Sequence, residues 1–138
     1  MHPTLTLEIF LAAEKRSAGQ PYPVYMSNLA AIGVRSYHVS VDTHDRRIFS
    51  SAHNKHLDIP GSVTPPYHPR DTFDLEKLKT ALHRTQTGQT NYLAFMTEIA
   101  EAGVHFYVAD VENRKVSYHG KSPNAPYEEA VPVIQNNN

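Results

Sequence analysis

The chain has 138 residues, 40% hydrophobic and 20% charged, with a formal net charge of −1. That length suits one ordinary domain and needs no metal or disulfide simply to stay folded. With no cysteine, a disulfide framework, thiol catalysis, cysteine-ligated zinc and iron–sulfur clusters are all excluded.

The first predicted element is a helix over about Thr6–Ser17. Its Leu7, Ile9, Phe10, Leu11 and Ala13 are apolar on more than one face, which implies deep burial. Pro21 and Pro23 suit the first turn of a second helix, where a missing N–H costs little. Tyr25, Leu29 and Ile32 form its stripe, and Gly33 stands where a left-handed residue ends it. The period then changes to two. In Ser36–Asp42 the residues Tyr37, Val39 and Val41 point one way, and Ser36, His38, Ser40 and Asp42 the other. A turn at Thr43–Arg46 returns the chain through Arg47–Ser50. Ser51–Arg70 holds Pro60, Pro65, Pro66 and Pro69 with His53, His56 and His68, and predicts an irregular excursion containing one strand near Leu57–Ile59 or at Val63.

Leu75, Leu78 and Leu82 recur at helical spacing after Asp71 or Thr72 as N-cap, and this third helix fades at Thr87–Gly88. Thr90 or Asn91 caps a fourth, with Tyr92, Phe95, Met96 and Ile99 as its stripe and Gly103 as its stop. In His105–Glu112, Tyr107, Ala109 and Val111 share one face, while Phe106, Val108 and Asp110 share the other. The chain turns at Glu112–Arg114 and returns through Lys115–His119. Tyr127–Ile134 predicts an edge strand, where Pro132 is tolerated, and Gln135–Asn138 should fray.

Shifting the chain by 70 positions superposes Tyr22–Ile48 on Tyr92–Tyr118 with seven identities, among them Gly33/Gly103, Tyr37/Tyr107 and Val41/Val111. Both segments predict the same elements in the same order. The expectation is an α+β fold of internally duplicated ααββ units, about 5–50 and 73–120. They share a largely antiparallel sheet with helices on one face, in one domain over 1–138. Alanine at Gly33 and Gly103 should then destabilise alike, and Gly61→Ala in the irregular middle should matter less.

The segment TGQTNYLAFMTEIAEAGVHFYVADVENRKVSYHG, Thr87–Gly120, resembles the C-terminal half of the YbcV/YdfO-like family. These are small bacterial proteins of unknown function, several of them prophage-associated and sometimes labelled phage envelope-like. LAAIGVRSYHVSVD at Leu29–Asp42 fits the same pattern, so the resemblance covers roughly Leu5–Ile134 apart from the proline-rich middle. It implies a compact α+β protein and brings no established activity, cofactor or catalytic set.

Nine histidines are the compositional oddity, since imidazole is both the commonest metal ligand and the usual acid–base group near neutral pH. His53, His56 and Asp58, with His44 and Asp45 upstream, would suit zinc or another divalent transition metal if they converged. An HxxH in a loop lacks the helical frame of HExxH, so solvated histidines and no cofactor are expected. The second constellation is the sheet face turned away from the helices. Alternation sends His38, Ser40, Asp42, Phe106, Val108 and Asp110 there, with Arg47, Ser117 and His119 as neighbours. Such a face could bind a ligand or partner, or supply acid–base chemistry.

There is no GxGxxG, GxxxxGK[ST] or GxSxG. The expected function is therefore a non-enzymatic binding or protein-interaction module, with prophage association implied by the resemblance alone. The alternative is a histidine-dependent, metal-assisted enzyme acting on a small polar substrate. The partner would be a protein or small ligand, and exposed edge strands would favour a homodimer. Thirteen basic against fourteen acidic residues argue against nucleic acid. No apolar run is long enough to span a membrane. The N-terminus lacks the basic n-region of a signal peptide, so a cytoplasmic location is expected.

Overall fold

Local signals start and stop the helices much as the residues suggest. In the computed structural model, which describes residues 4–52, 55–61, 67–122 and 125–133, helix α1 (Leu7–Arg16) begins where Thr6 accepts the Ile9 N–H. Helix α2 (Tyr22–Ala31) follows Pro21 and carries Pro23 in its first turn. Asp74 caps α3 (Leu75–Gln86) by accepting from Lys77 N, and Asn91 caps α4 (Tyr92–Glu101) by accepting from Ala94 N. Gly33 and Gly103 then turn α2 and α4 into strands at φ +90° and +84°, values a side chain adopts only under strain.

The strands are β1 (Val34–Ser40), β2 (Arg46–Ser50), β3 (His56–Ile59), β4 (Phe106–Asp110), β5 (Lys115–His119) and β6 (Tyr127–Ala130). They form one antiparallel sheet in the order β3-β2-β1-β4-β5-β6. The fold is α+β, as expected. Each half reads ααβββ rather than ααββ, because β3 and β6 extend the sheet at either edge. The halves meet where β1 pairs with β4, with Tyr37 opposite Ala109, His38 opposite Val108 and Val39 opposite Tyr107. Period two then decides the faces. Tyr37, Val39, Ile48, Tyr107, Ala109 and Val116 pack into one core with Phe10, Met26, Leu29, Leu78, Met96 and Ile99 of the helices.

Several expectations need correction. Helix α1 buries Phe10 and Ala13 but leaves Leu7 and Leu11 nearly half exposed, since only one of its faces meets the core. The cap of α3 is Asp74, not Asp71 or Thr72, because Leu75 is already its first residue. Gly61 is not in open space: a Cβ there would stand 1.9 Å from the Thr43 carbonyl oxygen. Gly103 likewise would meet Thr72 O at 2.2 Å, whereas Gly33 has nothing within 4 Å, so the two helix-ending glycines are not equivalent. Edge strand β6 ends at Ala130, before Pro132. His53, the Val63 alternative, and the expected edge and fraying at Ile134–Asn138 lie outside the described residues.

Candidate functional site

With the helices on one side, the other side of the sheet carries a grid of alternate residues, and none of them is buried. Cross-strand pairing sets its rows. One row runs Asp58–Arg47–His38–Val108–Ser117–Glu128, and the next His56–Phe49–Ser36–Asp110–Lys115–Ala130. A third, shorter row places Ser40 beside Phe106 and Phe106 beside His119. His38, Ser40, Arg47, Phe106, Val108, Asp110 and His119 thus lie where alternation put them. Asp42 does not: β1 ends at Ser40, and the Asp42 side chain turns back to accept the Thr43 N–H.

Aromatic and imidazole rings are interleaved across this grid. Phe106 and His119 stack at 4.4 Å with 10° between their planes. His38 lies 5.1 Å from Phe49, which lies 5.9 Å from His56. Partial burial, with Arg47 and then His119 nearby, lowers the pKa of His38. Burial also lowers that of His119, against the pull of Glu128. Both imidazoles are therefore neutral at pH 7, hydrogen-bonding groups rather than charges. His119 Nε2 lies 2.9 Å from the Ser117 hydroxyl.

Arg47 grips Asp58 through two nitrogens at 2.7 and 3.3 Å, holding that carboxylate below its usual pKa. Beside them His38, Ser40, Asp45, Asp58, Ile59 and Pro60 help to line an open concavity of about 440 Å³. For the metal reading, His56 Nε2 is 3.6 Å from Asp58, which Arg47 already occupies. Among the described residues no group of three potential ligands converges.

The helix-side tyrosines do a different job. Tyr22 and Tyr37 share a hydrogen bond of 2.5 Å, and burial pushes Tyr22 up to about 12. Tyr25 donates to Glu14, which holds Arg46 in a bidentate pair at 2.6 and 3.1 Å. Burial also raises Tyr25, Tyr37 and Tyr107, so these phenols stay protonated; Tyr25 is a donor to Glu14, and either of Tyr22 and Tyr37 can donate in the bond they share.

Sequence reasoning did not place Phe49 or His56 on the open face. Their alternation was readable, but the register that brings β2 and β3 into the grid was not. His44, expected as a solvated histidine upstream of the His56–Asp58 pair, is instead buried in the β1–β2 turn.

A six-stranded antiparallel sheet with helices on one face and a ring-lined open surface on the other defines an α+β protein with an exposed platform. Residues 11–130 match the family described as "Protein of unknown function (DUF1398)", and the chain belongs to it. It is also similar to two mycobacterial proteins, "Uncharacterized protein Rv2012" of Mycobacterium tuberculosis and "Uncharacterized protein Mb2035" of Mycobacterium bovis. Each is 46% identical over 48 residues, covering 35% of this chain and 29% of the relative. This chain thus spans under a third of the length of those relatives. Among the described residues no helix is long and apolar enough to cross a membrane.

Proposed function

We propose that this protein is a non-enzymatic binding module whose open sheet face receives a protein partner. One observation carries the reading: a whole face of the sheet without a buried side chain, on which Phe49, His38, Phe106 and His119 present adjoining rings. Exposed apolar surface of this kind, rimmed by Arg47, Asp58, Lys115 and Glu128, fits an interface core with a polar rim. The scaffold reads as an internal duplication. The order ααβββ occurs twice, and left-handed residues recur 70 positions apart at Gly33 and Gly103 and again at His44 and Arg114. The prophage association and the YbcV/YdfO-like kinship belong to this proposal, as does a cytoplasmic location.

Affinity capture from a lysate of the source organism tests it. The protein and a Leu7→Ala/Leu11→Ala variant on the helical side should retain the same stoichiometric partner. A His38→Ala/Phe106→Ala variant should lose it. Equal capture by all three, or by none, defeats the reading.

The Ser117–His119 contact favours a second reading, histidine-dependent chemistry. With its proton on Nδ1, the imidazole can accept the Ser117 O–H and act as general base. Hydrolysis of a chromogenic acyl ester, lost in Ser117→Ala, would support it. Turnover no faster than buffer would remove it.

A further inference from the structure

His44 stands at the tip of the β1–β2 hairpin with φ +63°, a left-handed conformation uncommon for any residue with a side chain. It is only 7% exposed, and its Nε2 has no hydrogen-bond partner among the described residues. Two tyrosine rings hold it edge-on, Tyr67 at 5.2 Å and Tyr92 at 5.8 Å. A strained backbone and an unpartnered buried nitrogen both oppose this arrangement, so the bonds around the turn must hold it. His44 N donates to Ser40 O at 2.8 Å, and Ser40 N to Asp45 O at 2.9 Å. Two further bonds tie the following connection to the same turn: Gly61 N donates to Asp45 Oδ1 at 2.7 Å, and Tyr67 N to Asp42 O at 2.8 Å. Asp45 and Pro60, at these ties, also wall the open-face concavity beside His38, Ser40 and Arg47.

We propose that His44 is a proton-operated latch on that wall. Neutral, it sits between Tyr67 and Tyr92 and locks the β1–β2 turn; protonated, it leaves the slot, and the wall made by Asp45 and Pro60 opens. That opening would alter partner binding rests on the reading of the sheet face as a binding surface; the latch itself does not.

The groups around His44 do not compensate a charge there. Its own turn contributes Asp42 and Asp45. Asp42 attracts the proton, but burial outweighs it and the net pKa lies below the ordinary range. Asp45 is occupied by Gly61 N. From β2 comes Arg46, neutralised by Glu14 of α1. The Tyr92 phenol of α4, raised by burial, stays neutral, and Tyr67 contributes its ring edge. The opened turn takes up its proton near the usual value, about 6.5, and the closed turn less readily. Opening is therefore independent of pH above about 6.5 and grows as the pH falls below it, levelling off under the closed-state pKa.

Amide hydrogen exchange on the full chain, corrected for intrinsic rates, tests the latch without any partner. Protection of the Gly61 and Tyr67 amides should be lost progressively between pH 7.5 and pH 5, because the opened turn binds the proton more readily than the closed one. In His44→Asn, which keeps a residue tolerant of left-handed backbone but cannot ionise, protection should not depend on pH. His119→Asn should retain the full acid response. Should the asparagine at 44 fail to fold, the His44 ring resonance in the unmodified chain serves instead, and its titration should coincide with the loss of protection. Unchanged protection at both pH values, or the same acid loss in His44→Asn, overturns the proposal.

Discussion

A Cβ built on Gly33 meets nothing within 4 Å, and only its φ of +90° calls for glycine. Gly61 is the opposite case: its backbone is ordinary, but a Cβ would stand 1.9 Å from Thr43 O and 2.6 Å from the His44 carbonyl carbon. Gly103 combines both demands, with φ +84° and Thr72 O at 2.2 Å. Backbone atoms cannot rotate aside as a side-chain tip can, so the two crowded sites must shift whole segments. Gly33→Ala should then cost about 1 kcal/mol through conformation alone. Gly61→Ala should cost roughly 2–3 kcal/mol through overpacking, and Gly103→Ala the sum of the two kinds. Urea unfolding of the three variants reads this ranking. A Gly61→Ala variant as stable as the parent would show that the β1–β2 turn is not packed against residue 61.

Arg114 acts at the scale of elements. It occupies the β4–β5 turn at φ +54°, and its guanidinium donates to Val131 O, Pro132 O, Ser27 Oγ and Pro23 O. Its own carbonyl accepts from Val131 N at 2.8 Å. One side chain of the second half thereby joins the end of β6 to the first turn of α2. Arg114→Ala should cost about 2–3 kcal/mol, since charge-assisted bonds are lost and carbonyls are left short of donors. Arg114→Lys should recover little, because a single ammonium cannot span four acceptors in a fixed fork. Near-complete rescue by lysine in thermal unfolding would count against the brace. None of this was legible from the residues, which show Arg114 only as part of a turn. What could be read was local: the inward sets Tyr37–Val39–Val41 and Tyr107–Ala109–Val111, the two helix-ending glycines, and Asn91 as one of two candidate caps. Whatever depended on pairing between distant segments was not. The expected strands near Leu57–Ile59 and in Tyr127–Ile134 do form, as β3 and β6, but their pairing with β2 and β5 was not readable. Phe49 and His56 join the open face only through the register of β1, β2 and β3, and α1 is exposed because of where it docks, not because of its composition. Asp42 followed the alternation correctly until the strand ended two residues earlier.

Across the whole molecule, the outer strands do not invite further pairing. Strand β6 carries Glu128 and Glu129, and β3 is flanked by Lys55 and Pro60, features that discourage edge-to-edge association. The halves instead meet at the centre, where β1 and β4 exchange their ladder and Val39, 1% exposed, lies opposite Tyr107. Contacts also cross between halves above the sheet: Arg114 reaches α2, and Tyr92 of α4 lies against His44. A core shared in this way should unfold as one unit. Val39→Ala removes apolar volume at the seam and should cost roughly 1.5–3 kcal/mol, about the worth of a fully buried valine. If the halves are one cooperative body, amide protection should drop by the same factor at Ile48 in β2 and at Val116 in β5, although neither strand pairs directly with the other. A fall confined to β2, with β5 unchanged, would mean that the second half holds its structure alone and that the β1–β4 seam joins two separately stable units.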